Sequence, residues 1–186
     1  MTTDPLETLT NYYPISPLIL TAGQPMAEQI ALIAAAGCEV VINLARPTSP
    51  NALPDEAALV AAHSMDYIAI PVVWEEPTLD DLARFCAAME ANQARKVFVH
   101  CVVNYRVSSF VYLYRVLRLG VNPDEAIWDL RSIWEPDETW SAFIAAALQA
   151  EVQRALLATP TDDLIEIALN RQSSFWAECQ PEIQAH

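Results

Sequence analysis

The chain has a single lysine, Lys96, and only 10 basic residues against 24 acidic ones among 186, for a formal net charge of −14. Clustered cations are what hold a polyphosphate backbone or an anionic bilayer, so this balance argues against nucleic acid and membrane as partners. A small phosphorylated ligand stays open, because one local arginine and aligned backbone dipoles outweigh a distant field that salt screens. No apolar run reaches membrane-spanning length without a charge, and the opening "MTTDPLETLT" lacks the basic region and apolar stretch of a secretion signal. The four cysteines, Cys38, Cys86, Cys101 and Cys179, show no zinc-type spacing and read as reduced thiols. Internal repeats and low-complexity tracts are lacking too. The expected compartment is the cytoplasm.

Hydrophobic residues make up 53% of the chain and charged residues 18%, enough apolar surface to offset the ordering entropy of a folded core. The length suits one domain, expected over residues 1–150, with a helical C-terminal extension, residues 151–186, packed on it. After an irregular lead-in, "SPLILTAGQP" predicts a strand, "MAEQIALIAAAG" a helix closed by Gly37, and "CEVVINLA" a buried strand. The alternation repeats. "PDEAALVAAHS" predicts a helix and "DYIAIPVV" a strand. "PTLDDLARFCAAMEAN" predicts a helix capped by Thr78, burying Leu79, Leu82, Phe85 and Cys86, and "KVFVH" the next strand. From Arg106 onward the periodicity is helical, with Asn122 and Pro123 opening one helix. Strands separated by helices give an α/β fold: a central, mostly parallel sheet of four to five strands flanked by helices, with extra C-terminal helices.

The chemistry concentrates in "KVFVHCVVNYRVSSF". In open α/β sheets ligands bind beyond the carboxyl ends of strands, where the chain enters a helix. Cys101 falls there, and the positive end of the following helix together with the turn amides favours a thiolate. Alone, a cysteine that ends a core strand is most often inert packing, and His100 alone says no more. Arg106 changes that reading, because a guanidinium at an apolar strand end needs an anionic partner and its fork suits a phosphate.

The stretch "VFVHCVVNYRVSSF" resembles the signature loop of the cysteine-dependent protein tyrosine phosphatases, especially the dual-specificity branch. "LTAGQP", "VVINLARP" and "YIAIPV" are similar to bacterial members of that superfamily, and the likeness covers roughly residues 15–146. It implies a metal-independent reaction without cofactor, through a phosphocysteine, on a phosphorylated protein or a small phosphate ester. By this resemblance Cys101 is the nucleophile and Arg106 clamps the phosphoryl oxygens. His100 helps hold the loop, and the backbone of Val102, Val103, Asn104 and Tyr105 wraps the anion. The hydroxyl that the family places directly after the arginine is here displaced by Val107 to Ser108. The family has five residues between cysteine and arginine where this chain has four, a loss of up to ~3.3–3.6 Å of reach. The turn also lacks glycine, leaving Asn104 as the residue best able to take a positive φ.

The resemblance further calls for an acid on the loop after the preceding strand, here "VVWEEPTLDD", so Glu75 and Glu76 are the nearest carboxylates, with Asp80 and Asp81 read as helix-start residues. Arg46 in "NLARP" is a further candidate anion contact and Gln24 a candidate pocket residue. Trp134, Pro136 and Trp140 read as a packed corner between helices, with Glu135 and Asp137 as reserve acids. The leading expectation is a phosphatase. Beside it stand a phosphate-binding or interaction module with lost catalysis and, behind both, a rhodanese-like sulfurtransferase.

Overall fold

The computed structural model describes residues 4–158. A 3-10 turn at Pro5–Thr8 leads into strands β1 (Tyr13–Ser16) and β2 (Ile19–Ala22), then a 3-10 turn at Ala27–Gln29 and helix α1 (Ile30–Ala35). Next come β3 (Val40–Asn43), α2 (Glu56–Ala62), β4 (Asp66–Ala69), α3 (Leu79–Ala91) and β5 (Val97–His100). Three helices close the described chain: α4 (Tyr105–Leu117), α5 (Pro123–Ile133) and α6 (Glu138–Ala158). The chain divides into a unit ending at Leu148 and a second beginning at Gln149. Most of the expected C-terminal extension, with Cys179, lies outside the described residues. Among the described residues no helix is long and apolar enough to cross a membrane.

The five strands form one sheet in the order β1-β2-β5-β3-β4, with β1 antiparallel to β2 and every other pair parallel. This is the α/β fold expected. The sequence misses β1: Tyr13–Ser16 lies in the lead-in expected to be irregular, and Pro14 disguises it. Proline is tolerated there because β1 is an edge strand with one side free of ladder bonds. β4 is shorter than "DYIAIPVV" suggests, ending at Ala69 ahead of Pro71.

The central strands β3 and β5 are buried along their whole length, which is why they read as unbroken apolar runs. Their alternate residues feed two separate cores. Val40, Ile42, Val97, Val99 and Cys101 pack on the side of α3 and α4, where Phe85, Phe110 and Leu113 are fully covered. Val41 and Phe98 pack on the other side with Ile30, Ile33 and Val60 from α1 and α2. Each large side chain so covered contributes about 1.5–3 kcal/mol. The strand period of two therefore sends His100 and Cys101 to opposite faces of the sheet.

Local signals hold at most helix ends. Thr78 Oγ1 accepts from Asp81 N and Asp81 Oδ2 accepts from Thr78 N, a reciprocal cap that gives Asp81 its role. Asn122 caps α5 with Pro123 in its first turn, and Gly37 takes φ +84° after α1. One expected core residue is not there. Leu79 is 47% exposed, because at the first position of α3 it precedes the buried stripe Leu82, Phe85, Cys86 and Met89.

Candidate active site

β5 delivers Cys101 to the carboxyl end of the sheet between β2 and β3, with Ala22 and Asn43 as the register partners of His100. The chain turns through Val102, Val103 and Asn104 and enters α4 at Tyr105. Asn104 is the residue that makes the turn without glycine: it sits at φ 69°, ψ 2°, fully buried. Its Nδ2 donates to Asn11 O at 2.7 Å and Thr21 Oγ1 at 3.0 Å, which fixes that left-handed conformation. The loop carbonyls are held from outside, Val102 O by Gln24 N at 2.9 Å and Val103 O by Asn11 Nδ2 at 2.9 Å. A trans peptide sets N–H opposite C=O, so the Val103 amide turns away from Gln24, while the antiparallel bridge of Gly23 with Val103 directs the Asn104 amide to the end of β2. Gly23 makes this packing fit: a Cβ there would lie 2.6 Å from Val102 O, a backbone atom that cannot swing aside.

Arg106 is only 8% exposed, and no carboxylate among the described residues lies within ion-pair reach of it. Its guanidinium carbon lies 5.3 Å from the centre of the Trp74 ring. The Arg106 Nε, both ring nitrogens of His100, Gln24 Oε1 and Asn104 Oδ1 are buried side-chain atoms without a hydrogen-bond partner. No other described residue has one. Buried polar groups are nearly always satisfied, and the unpaired ones here gather around the Cys101 loop, on both faces of the sheet end.

Aromatic side chains wall this corner. Trp74, from the loop after β4, packs against Trp134 and Trp140 at 5.4 and 5.1 Å between ring centroids, and Tyr105 stacks flat on Trp134 at 4.5 Å. Trp140 Nε1 donates to Trp74 O at 3.1 Å, tying that loop to α6. The helix corner at Trp134 and Trp140 thus packs as expected, and what it packs against is the Cys101 loop.

Residues 14–153 match the model of the family described as DSP-PTPase phosphatase fused to NAD+ kinase. The chain belongs to this family. The crystal structure of a candidate phosphatase (DUF442) from Shewanella putrefaciens CN-32 is 33% identical, with a TM-score of 0.71, covering 78% of this chain and 96% of its own. P. aeruginosa TpbA shares the fold at 18% identity and a TM-score of 0.63, covering 83% of this chain and 95% of its own. PTPMT1, solved in complex with PI(5)P, shares it at 19% and 0.66, covering 77% and 98%. Among curated protein sequences none matches the chain.

In this phosphatase-family chain, two residues of this corner escape sequence reasoning, Trp74 over Arg106 and Glu56 beside His100; Glu56 is the less expected. It is a single acid among 24, yet it is only 6% exposed and shares the inner face of α2 with Val60, one helical turn on. An acid where the helical period calls for an apolar residue is the signal that could have found it. Its Oε1 accepts from Gln24 Nε2 at 2.9 Å; its Oε2 accepts from Asn43 Nδ2 at 2.8 Å and Tyr67 Oη at 3.1 Å. His100 Nε2 lies 3.1 Å from Oε1, at ion-pair distance but too bent for a formed hydrogen bond. Burial, the strongest influence, works to raise the Glu56 carboxyl; the adjacent His100 ring and the Gln24 and Tyr67 donors outweigh it and hold the carboxyl below its usual range.

A carboxyl depressed in the folded state stabilises the protein above its unfolded value of about 4.3, and that contribution is lost as pH falls through the folded value. Denaturant unfolding of parent and Glu56→Gln between about pH 7 and 3 is therefore expected to show the parent losing stability more steeply in acid. At neutral pH the variant is expected to be weaker by about 1–3 kcal/mol, since a buried partner is lost. Parallel acid limbs would remove this role for Glu56.

The remaining expected residues are placed as follows. Glu75 and Glu76 are exposed and directly follow Trp74, the residue over Arg106. Ser108 Oγ donates to Tyr105 O at 3.0 Å and accepts from Trp134 Nε1 at 3.1 Å, so its one proton is committed to the helix. Gln24 braces the loop with its backbone and Glu56 with its side chain. Glu135 pairs with Arg131, and Asp137 Oδ1 accepts from Trp140 N as α6 begins. Arg46 is exposed and lines a cavity of about 240 Å³ that none of the residues from Cys101 to Arg106 lines.

Proposed function

We propose that this phosphatase-family protein hydrolyses phosphate monoesters through a phosphocysteine on Cys101. The observation that carries the reading is Arg106: a guanidinium largely buried beside the Cys101 loop, with its Nε unpaired and no carboxylate in reach, is an arrangement that an anionic ligand completes. The substrate phosphoryl group meets the Arg106 fork and the amides of the loop from Val102 to Tyr105, and these stabilise the charge of the transferring group. In the first step the Sγ–P bond of Cys101 forms as the ester P–O bond breaks, and Glu75, with Glu76 as its neighbour, donates its proton to the departing oxygen. In the second, that carboxylate takes a proton from water, the water oxygen bonds to phosphorus, and the Sγ–P bond breaks. The products are an alcohol and inorganic phosphate, and the thiolate is regenerated.

His100 orients the loop from the opposite face of the sheet, held by Glu56. The substrate is a phosphorylated protein or a small phosphate ester; the phosphotyrosine in one TpbA structure and the PI(5)P in one of PTPMT1 support a phosphate monoester as the reacting group. The test of the reaction is phosphate release from an aryl phosphate and its block by vanadate. The test of the acid is leaving-group dependence. Glu75→Gln is expected to lower kcat by about 10²-fold or more for an alkyl phosphate and by much less for nitrophenyl phosphate, whose phenoxide leaves without a proton. Equal losses for both would take the proton-donor role from Glu75.

The full burial of Cys101 favours one other reading, a phosphate-binding module without turnover. Calorimetric tungstate binding together with no release from a broad phosphate panel would establish it.

A further inference from the structure

The loop of residues 70–78 carries Glu75 and Glu76 from β4 to α3. Its ends are tied: Ile70 N donates to Asn43 O at 2.9 Å, Val72 N donates to Leu44 O at 3.1 Å, and Thr78 caps α3 on the far side. The middle is sparsely held. Glu76 N reaches Val73 O at 3.4 Å, longer than the ordinary ~2.7–3.2 Å, and Pro77 has no N–H to give. Among the described residues one side chain hydrogen-bonds the stretch from Val73 to Pro77: Trp140, whose Nε1 donates to Trp74 O at 3.1 Å.

That carbonyl belongs to the peptide joining Trp74 to Glu75, and because the peptide is planar the bond fixes the plane from which Glu75 starts. The donor is set in the core. Trp140 is fully buried in the first turn of α6, its N donates to Asp137 Oδ1 at 2.9 Å, and its ring lies 5.7 Å from Phe143 and 6.0 Å from Phe110 between centroids. Phe110 stands on α4, the helix that carries Arg106, and Trp74 lies over Arg106. The proton donor's peptide and the phosphate cation thus share one support. Phe85, Phe110 and Phe143 fill the rest of this core without a polar edge; the indole brings one N–H besides its larger ring, and that N–H meets the loop.

We propose that Trp140 is the positioning residue of the acid loop: its N–H holds the Trp74–Glu75 peptide, so that Glu75 meets the departing oxygen from a loop set before substrate arrives. The proposal rests on the phosphatase reading, with Glu75 as proton donor. Proton transfer depends steeply on placement, and a shift of about 1 Å costs up to about 10²-fold. The loss falls on esters that need the proton and spares those that do not.

Trp140→Phe keeps an aromatic ring and removes the N–H. Phe143→Leu, in the same core but without a bond to the loop, is the control for lost packing. Full-length parent and variants are assayed on an alkyl phosphate and on nitrophenyl phosphate, with melting temperatures measured alongside. Trp140→Phe is expected to lower kcat/KM at least about tenfold for the alkyl ester and less than about threefold for the nitrophenyl ester, and Phe143→Leu to lower the two alike. In the parent, NMR exchange of the Trp140 indole N–H is expected to be slow without tungstate and unchanged by it. This arm needs no variant and stands even if Trp140→Phe fails to fold. Indole exchange that tungstate slows by more than about tenfold overturns the proposal, because the loop would then close on the anion. So does a leaving-group split in Glu75→Gln that Trp140→Phe does not share. No split in Glu75→Gln, or no turnover by the parent, removes the acid or the reaction instead, and indole exchange then decides whether Trp140 holds the loop.

Discussion

Replacing Cys101 with serine is expected to lower phosphate release from an aryl phosphate by at least about 10³-fold while leaving the protein folded and able to bind oxyanions. The size of the loss follows from the reaction proposed. A thiolate attacks and later departs from phosphorus; a serine hydroxyl at the same place is neutral and, once phosphorylated, a poor leaving group. The fold is expected to survive, because serine is smaller than cysteine and the loop is shaped by other residues. Asn104 holds the left-handed turn, Gly23 allows the close approach, and Gln24 and Asn11 grip the carbonyls. Tungstate binding is expected to persist, since Arg106 and the amides supply it. The measurement is initial-rate phosphate release alongside calorimetric tungstate titration of both proteins. Equal rates in parent and variant would sink the phosphocysteine.

What could be read from the sequence is what local chemistry encodes. The Cys101 loop at a strand end, the caps Thr78 and Asn122, and Asn104 as the residue for a positive φ depend on neighbours within a few positions, and all appear where expected. The parallel sheet was legible because β3 and β5 are apolar without interruption. The edge strand β1 was not: Pro14 broke the pattern, and edge position is a tertiary fact. Glu56 and Trp74 were missed for a related reason. Each acts on the loop from another element, Glu56 from α2 beneath His100 and Trp74 from the loop after β4 against Arg106. Nothing in their own segments says which side chain they will meet. The loop count was legible but its consequence was not. With four intervening residues the chain still starts α4 at Tyr105 and keeps Arg106 in the first turn, because Asn104 absorbs the turn that a glycine usually makes.

The other large effect concerns Arg106, where function and stability are expected to move in opposite directions. A guanidinium that is 8% exposed and without a carboxylate carries a desolvation cost of several kcal/mol, of which its contact with the Trp74 face returns about 2 kcal/mol. Arg106→Met keeps an unbranched stem and a favourable sulfur contact with the indole while discarding the charge. The anion-free variant is therefore expected to melt higher than the parent, by about 2–4 °C for each kcal/mol recovered. Its phosphate release is expected to fall by at least about 10³-fold, as the clamp on the transferring group is lost. Tungstate at about 100 times its dissociation constant is expected to stabilise the parent by about 2.7 kcal/mol and the variant not at all. Scanning calorimetry of both proteins with and without tungstate reads all four states, and initial rates read the loss of phosphate release. A variant that melts lower than the anion-free parent and still gains from tungstate would make Arg106 a packing residue, and the cation that completes the phosphate site would have to be sought elsewhere.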